Sequence, residues 1–473
     1  MMRATDAGLP TLPATLYLPA VSSTYAEFVL AGAFRRQLPV RVQQLNFLAS
    51  PVAALHSHGG DVPHSSGPLF SYPYALYSAG QGAKTAAAAA KPNIFDHRDR
   101  TRTFVVADSI GHQIEKGTVP FEGVATLDRV LRWEERTGDL RMVLDFAVGG
   151  ISKGLARRHV RRLLDEGQDL HAMCAENGQG LDFNACLKQT MINNDYFLEN
   201  AVEPESLLQV IQGRNDGESG TWYRTMRRHY PFRDWAIPGN HAASLGLLLR
   251  RLIDMRDDGI LGEMRWLHVL GEAKLPLVCL YSTIQECVRQ HGNPEFQLSY
   301  DSAAPFRMGA KLQACTGQTL DAHGWALHAV NVAKVGRIGD PTSLNDFCVT
   351  RLPRSRRVGV LRRRFRARTQ IGERIAVGDL CVGSGGSSDL DGDSIYLLMN
   401  HNLEAFVQAH ARAQAAFANE EYAAFPEGLL LARRLIEMVF EAPTPRHLRN
   451  MGLRVSEPLE LIGQCEAHLD RFS

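Results

Sequence analysis

Phe296-Gln297-Leu298-Ser299-Tyr300-Asp301-Ser302-Ala303-Ala304-Pro305-Phe306-Arg307 is an apolar-rich run that ends in a carboxylate and passes at once into a loop with a proline and an arginine. That is the pattern of a buried strand whose last residues carry an aspartate. A second stretch has the same design: Thr103-Phe104-Val105-Val106-Ala107-Asp108-Ser109-Ile110-Gly111-His112-Gln113. Barrels and open α/β sheets gather their strand ends on one face. Two strand-terminal aspartates far apart in sequence can therefore be aimed at one ligand.

Working outward, short β-rich runs alternate with amphipathic stretches. The strand candidates are Thr15–Pro19, Thr103–Ala107, Arg141–Leu144, Ser206–Ile211, Asp234–Ile237, Arg265–Leu270 and Glu295–Tyr300. Helical stretches include Ser152–Glu166, Thr221–His229, Ala243–Asp257, Ser282–His291 and Leu403–Ala415. Repeated βα units of this kind predict a (β/α)8 TIM barrel with one strand unassigned, insertions and a mostly helical C-terminal extension. A doubly wound sheet is the alternative. Ala49–Lys91, rich in Gly, Pro, Ser, His and Ala, reads as a long insertion loop between the first two strands. The expected division is a catalytic barrel over 1–345, an Arg-rich, degenerate zinc subdomain over 346–400, and helices packed on the barrel over 401–473.

Composition narrows the function classes. The chain has 473 residues, 45% hydrophobic and 22% charged, with a formal net charge of +1. It holds no run of about 18 uninterrupted apolar residues, so a membrane span is not expected. The first 20 residues lack a basic segment followed by an apolar core, the pattern of a secretory signal. Eight cysteines without a Cys-x-x-Cys pair read as mostly buried, reduced thiols in a cytoplasmic protein. Near-neutral overall charge hides one local departure. Between residues 351 and 368 stand Arg351, Arg354, Arg356, Arg357, Arg362, Arg363, Arg364, Arg366 and Arg368, with no Asp or Glu among them. Such a run neutralises phosphates and stacks on bases, whereas a solvated strand pair balanced by acidic neighbours is the plainer alternative. After it, Gly383–Ser388 reads as a flexible link and Asp389–Asp393 as an acidic turn.

Paired carboxylates at a sugar C1′ are the chemistry of glycosidic bond exchange. An aspartate after a strand can also be only a helix N-cap, and the surrounding residues bear on the choice. Asp108-Ser109-Ile110-Gly111-His112-Gln113 resembles Asp-Ser-Gly-Gly-Phe-Gln, the general-base segment of the guanine transglycosylases of queuine and archaeosine type. Asp301-Ser302-Ala303-Ala304-Pro305-Phe306-Arg307 is similar to their nucleophile segment, Asp-Cys-Val-x-Pro-Thr-Arg. Val210-Ile211-Gln212-Gly213 resembles Val-Gln-Gly-Gly, and Trp235-Ala236-Ile237-Pro238-Gly239 resembles Ala-Ile-Gly-Gly. Met142-Val143-Leu144-Asp145, Leu270-Gly271 and Asn400-His401-Asn402-Leu403 fall at further matching places. The resemblance spans about Thr103 to Phe406.

The resemblance implies that Asp301 is the nucleophile and Asp108 the general acid/base. Asp145, Gln212, Gly213, Ile237, Gly239 and Ser109 would surround the base, and Arg307 with the arginine run would hold nucleic acid. The exchange itself needs no cofactor. The tRNA enzymes carry Cys-x-Cys-x-x-Cys before the C-terminal His, a structural zinc site. Here only Cys348, Cys381 and His401 stand as local metal candidates, and Gly-Ser residues replace the rest. That loss, the insertion and Phe306 in place of Thr make the chain most similar to the divergent branch (DpdA) that inserts 7-deazaguanines into DNA. The implied partners are DNA and a 7-deazaguanine base, preQ0 above all, with a helper ATPase or a second copy of the chain. A tRNA substrate, a hydrolytic base-removing glycosylase and a non-catalytic nucleic-acid-binding paralogue remain as alternatives.

Overall fold

Eight short strands, most of them buried from end to end, line up in parallel in the computed structural model. It describes residues 12–48, 68–96, 98–148, 155–238, 244–321, 324–350, 368–381, 390–419, 425–426, 428–441 and 457–472. The strands are β1 (Leu16–Pro19), β2 (Tyr74–Ser78), β3 (Phe104–Asp108), β4 (Leu140–Met142), β5 (Leu207–Val210), β6 (Asp234–Ile237), β7 (Trp266–Val269) and β8 (Gln297–Ser302). Their order is β1-β8-β7-β6-β5-β4-β3-β2. Between β2 and β1 the wall is joined at one bridge, Ala20 to Leu76, where Val21 N–H donates to Leu76 O at 2.9 Å. With helices outside it, the sheet is a (β/α)8 barrel.

Side-chain alternation sorts each strand into two faces. Leu16, Leu18, Leu76, Phe104, Val106, Leu140, Met142, Leu208, Val210, Ala236 and Trp266 pack together inside the barrel. Their neighbours Tyr17, Tyr77, Val105, Ala107, Leu267, Leu298 and Tyr300 pack outward against the helices. The same period carries the inward face of β3 to Asp108 and that of β8 through Gln297 and Ser299 to Asp301. A polar wedge thus replaces aliphatic filling on one side of the interior.

All seven strands expected from the sequence form, Asp234–Ile237 with the expected bounds and the others with ends shifted by one or two residues. The eighth corrects the reading of Ala49–Lys91 as one loop: β2 lies within it, followed by the helical turns Ala79–Gly82 and Ala86–Ala89. Tyr-Ala-Leu-Tyr-Ser is only five residues long and is set among Gly, Pro, Ser and Ala, so turn signals mask its period. Its Leu76 enters the interior, while Tyr77 packs on Phe95 and Trp133.

Helix starts were also hidden by local chemistry. Leu275–Gln290 begins before the expected Ser282 because Pro276 sits in its first turn, where no N–H is needed. Of the expected acidic turn Asp389–Asp393, Asp389 lies outside the described residues and Gly392 and Asp393 already belong to the helix Gly392–Ala418, whose N-cap Asp391 accepts from Ser394 N–H at 2.8 Å. This helix runs through residue 400, the expected domain boundary, and packs on the helix Ala304–Ala310 that follows β8. Next to it stands the antiparallel hairpin of β9 (Ala314–Asp321) and β10 (Gly324–Asn331), absent from the sequence reading. The helices Leu429–Phe440 and Pro458–Leu469 pack against Leu275–Gln290 and Leu245–Asp257 respectively. Among the described residues no helix is long and apolar enough to cross a membrane. Residues 351–367, most of the arginine run, lie outside the described part.

Candidate active site

Asp301 is 6% exposed near the C-terminal end of β8. One of its oxygens, Oδ1, accepts from the backbone N–H of Gly271 at 2.6 Å and lies 3.2 Å from His268 Nε2. Strand parity explains the contact: Trp266 and His268 on β7 and Ser299 and Asp301 on β8 share the inward face. His268 is fully buried. Its Nδ1 lies 2.8 Å from Ser299 Oγ, which accepts from Trp266 Nε1–H at 2.7 Å.

Asp108 closes β3 across the β1–β2 seam. Ladder register places it beside Ser78 of β2, just as Asp301 lies beside Leu18 of β1. Burial, helped by the negative charge of Asp301 and less by that of Asp145, pushes the Asp108 carboxyl up to about 7. The neighbouring Ser78 hydroxyl, whose one proton points to Ser109 O at 2.8 Å, partly opposes this. Asp145 is buried after β4, and its Oδ2 accepts from Gln212 Nε2 at 2.6 Å. Burial raises the Asp145 carboxyl to about 6, partly countered by that amide. Gln212 reaches it because it stands two residues beyond inward-facing Val210.

The structure brings Asp108, Asp301, Asp145 and Gln212 to one barrel mouth. The other expected residues take different places. Ser109 is buried and its hydroxyl accepts from Gly111 N–H at 3.3 Å. A β-carbon on Gly111 would lie 2.6 Å from Asp145 O, so a side chain there would push the two loops apart. Gly213 has φ 148°, and a β-carbon on it would lie 2.4 Å from Ser219 N, so its bareness lets the helix Asp216–His229 start against the strand end. The Ile237 side chain faces the outer layer and its carbonyl accepts from Leu270 N–H at 2.9 Å. Gly239 lies outside the described residues.

Arg307, at the end of the first turn of the helix that follows β8, is exposed. Arg368 is exposed as well and pairs with Glu373 at 3.6 Å. Arg351, Arg354, Arg356, Arg357, Arg362, Arg363, Arg364 and Arg366 lie outside the described residues.

The metal candidates regroup. Cys348 and His401 are buried together, with Cys348 Sγ 3.6 Å from His401 Nε2 and Thr369 Oγ1 2.7 Å from His401 Nδ1. Their third member is Cys315 on β9 rather than Cys381, and the three ligand atoms lie within 4.8 Å of one another. Cys381 instead packs against Gly336. Cys315 and Cys348 are paired as a disulfide, and the other six cysteines are free, in keeping with the expectation of mostly reduced thiols. In reduced form two thiolates and one imidazole are a soft N/S donor set suited to zinc, three of the four ligands a tetrahedral site takes. Burial lowers the His401 imidazole to about 4, so it stays neutral and able to ligate.

Sequence reasoning missed His268, Ser299 and Cys315. A histidine at the inward parity of a barrel strand, two residues after Trp266, was the available signal for the first. Compared with known proteins, the chain matches no protein-family model and no curated protein.

Proposed function

We propose that the chain is a guanine transglycosylase that exchanges guanine in DNA for a 7-deazaguanine, with preQ0 as the incoming base. The observation that carries this reading is the pair of unlike carboxylates at one barrel mouth. Asp301 has one oxygen held by donors, and Asp108 changes protonation near neutrality. Such a pair suits a nucleophile and an acid/base.

In the exchange, Asp301 attacks C1′ of the target nucleotide and the C1′–N9 bond breaks. N9 of the departing guanine takes the proton of Asp108. The incoming base then returns its own N9 proton to Asp108, attacks C1′ and displaces Asp301. Two inversions retain the β-anomer. One N-glycosidic bond replaces another, so no energy source enters the balance. The Asp145–Gln212 pair offers a carboxylate and an amide to a guanine-type edge, and a site built on such groups rejects bases that leave them unpaired. In a duplex the target must leave the stack, at a cost of a few kcal/mol. Exposed Arg307 and the arginine run would meet the backbone phosphates. With the Cys315–Cys348 disulfide reduced, Cys315, Cys348 and His401 would hold a structural zinc that cross-links β9 to the helix Gly392–Ala418. On this reading the protein works in the cytoplasm.

The test uses DNA and, in parallel, tRNA, each radiolabelled in guanine and incubated with preQ0 and either wild type or Asp301→Ala. Release from DNA that needs preQ0 and disappears in the variant is the expected result. Release from tRNA alone would move the substrate to tRNA. Release without preQ0, leaving abasic sites, would make the protein a hydrolase. No release from either nucleic acid would overturn the reading.

A further inference from the structure

Four inward-facing side chains on β7 and β8 form a buried chain: Trp266, Ser299, His268 and Asp301. Their protons can be assigned from donor chemistry alone. Indole Nε1–H only donates, so Ser299 Oγ accepts from Trp266 at 2.7 Å. The single Ser299 proton then has His268 Nδ1 at 2.8 Å as its partner. An imidazole that accepts at Nδ1 carries its proton on Nε2, the atom 3.2 Å from Asp301 Oδ1. The opposite tautomer would set a bare ring nitrogen against a carboxylate oxygen and leave the serine proton without a receiver. Trp266, His268 and Ser299 are each fully buried, so no bulk water can take over any of these bonds.

Oδ1 of Asp301 receives a second donor from Gly271 N–H at 2.6 Å. Both donors converge on the same oxygen, while Oδ2 has no hydrogen bond among the described residues. A carboxylate held this way can turn only with difficulty about its Cβ–Cγ bond, and the oxygen presented to the mouth is always the same one.

We propose that His268 is a positioning residue, locked in its Nε2–H form by the Trp266–Ser299 relay, that fixes the Asp301 carboxylate so that Oδ2 is the attacking oxygen. The inference rests on the reading of Asp301 as the nucleophile. It adds a part that aspartate chemistry alone does not require, because an unanchored carboxylate could in principle attack through either oxygen. Formation of the Asp301–C1′ ester through Oδ2 leaves Oδ1 as the carbonyl oxygen, still facing His268 Nε2–H and Gly271 N–H. The same two donors then polarise the ester for its displacement by the incoming base, and no proton moves through His268 in either step.

The test compares His268→Phe, His268→Gln and Ser299→Ala with wild type and Asp301→Ala in the full chain, reading kcat, KM and thermal midpoint. Phenylalanine fills the volume without a donor, and glutamine places an N–H close to where Nε2 stands. For His268→Phe we expect kcat to fall about 100-fold, the cost of a misplaced reacting group, with KM changed by less than about threefold, since uniform binding is untouched. His268→Gln should recover to within about tenfold of wild type, a rescue a purely structural role would not give. Ser299→Ala, which frees the tautomer but keeps the ring, should fall between the two. Full activity of His268→Phe beside an inactive Asp301→Ala would overturn the positioning role and leave the transglycosylase reading intact. Equal loss in the Phe and Gln variants, both with wild-type thermal midpoints, would also overturn it, since the N–H would then not be what matters. An active Asp301→Ala would remove the nucleophile reading itself, and the inference with it.

Discussion

Replacing Asp108 by asparagine should make the protein more stable at alkaline pH while abolishing exchange. The Asp108 carboxyl is raised from an ordinary 3.8 to about 7 by burial and by the Asp301 charge. The unfolded chain therefore releases this proton first, and the folded protein keeps it until pH approaches 7. Stability from this site is complete below about pH 4, falls as pH rises through the interval, and levels off above about 7. At about 1.4 kcal/mol per pH unit, the gap amounts to at most about 4 kcal/mol. Asp108 is half-buried at the barrel mouth, and water there reduces the figure to about 2 kcal/mol. The asparagine variant carries no such proton and loses nothing over the same range. Urea unfolding of both proteins at pH 5 and pH 8 gives the stability difference at each pH, and effects common to both chains cancel. The variant should gain about 1–2 kcal/mol on wild type between the two pH values. An unchanged difference, or a variant that loses ground at pH 8, would refute the claim that burial and Asp301 hold this carboxyl protonated.

Gly213→Ala should destabilise by about 2–3 kcal/mol in the same assay, because φ is 148° and the new β-carbon would lie 2.4 Å from Ser219 N. Asp145→Asn should weaken competition by free 7-deazaguanine about 10- to 100-fold at near-normal stability, since its one oxygen can still accept from the Gln212 amide while an NH2 donor replaces the acceptor turned to the base; unchanged competition would take Asp145 out of base recognition. Protein purified under reducing conditions should carry about one zinc per chain by elemental analysis and lose it in Cys315→Ser, Cys348→Ser and His401→Ala, but not in Cys381→Ser. Retention of metal in the Cys315 variant would contradict the grouping seen here.

The barrel and its two carboxylates were legible because strand-end aspartates leave a mark on linear sequence: an apolar run, then an acid, then a breaker. Gln212 and Asp145 came from the resemblance: strand parity supports Gln212, two residues past inward-facing Val210, but not Asp145, which is out of step with inward-facing Leu140 and Met142. What escaped reading depends on partners far away in sequence. His268 alone is indistinguishable from a core histidine, and its meaning comes from Ser299 and Asp301 on the adjacent strand. Cys315 lies 33 residues from Cys348, too far for ligand spacing to reveal, and the hairpin that carries it was not foreseen. β2 was hidden by its length. The arginine run was the most conspicuous feature of composition, and all but Arg368 of its members lie outside the described residues.

The single bridge between β1 and β2 gives the C-terminal helices a mechanical duty. Like staves without a glued joint, these two strands meet at Ala20 and Leu76 and are otherwise held by side chains, as where Tyr72 OH donates to Tyr17 O at 2.6 Å. From outside, the helix Gly392–Ala418 bears on β1 and grips its approach through Gln414, whose amide donates to Thr15 O at 3.1 Å and to Thr15 Oγ1 at 2.6 Å. At the other end of that helix, Asp393 Oδ2 takes the backbone N–H groups of Arg35 and Arg36. The helix therefore clamps the β1 unit at both ends, and that unit is one rim of the open joint between the carboxylates of β3 and β8. Cutting the chain before this clamp would free the strand beside Asp301 without touching either carboxylate.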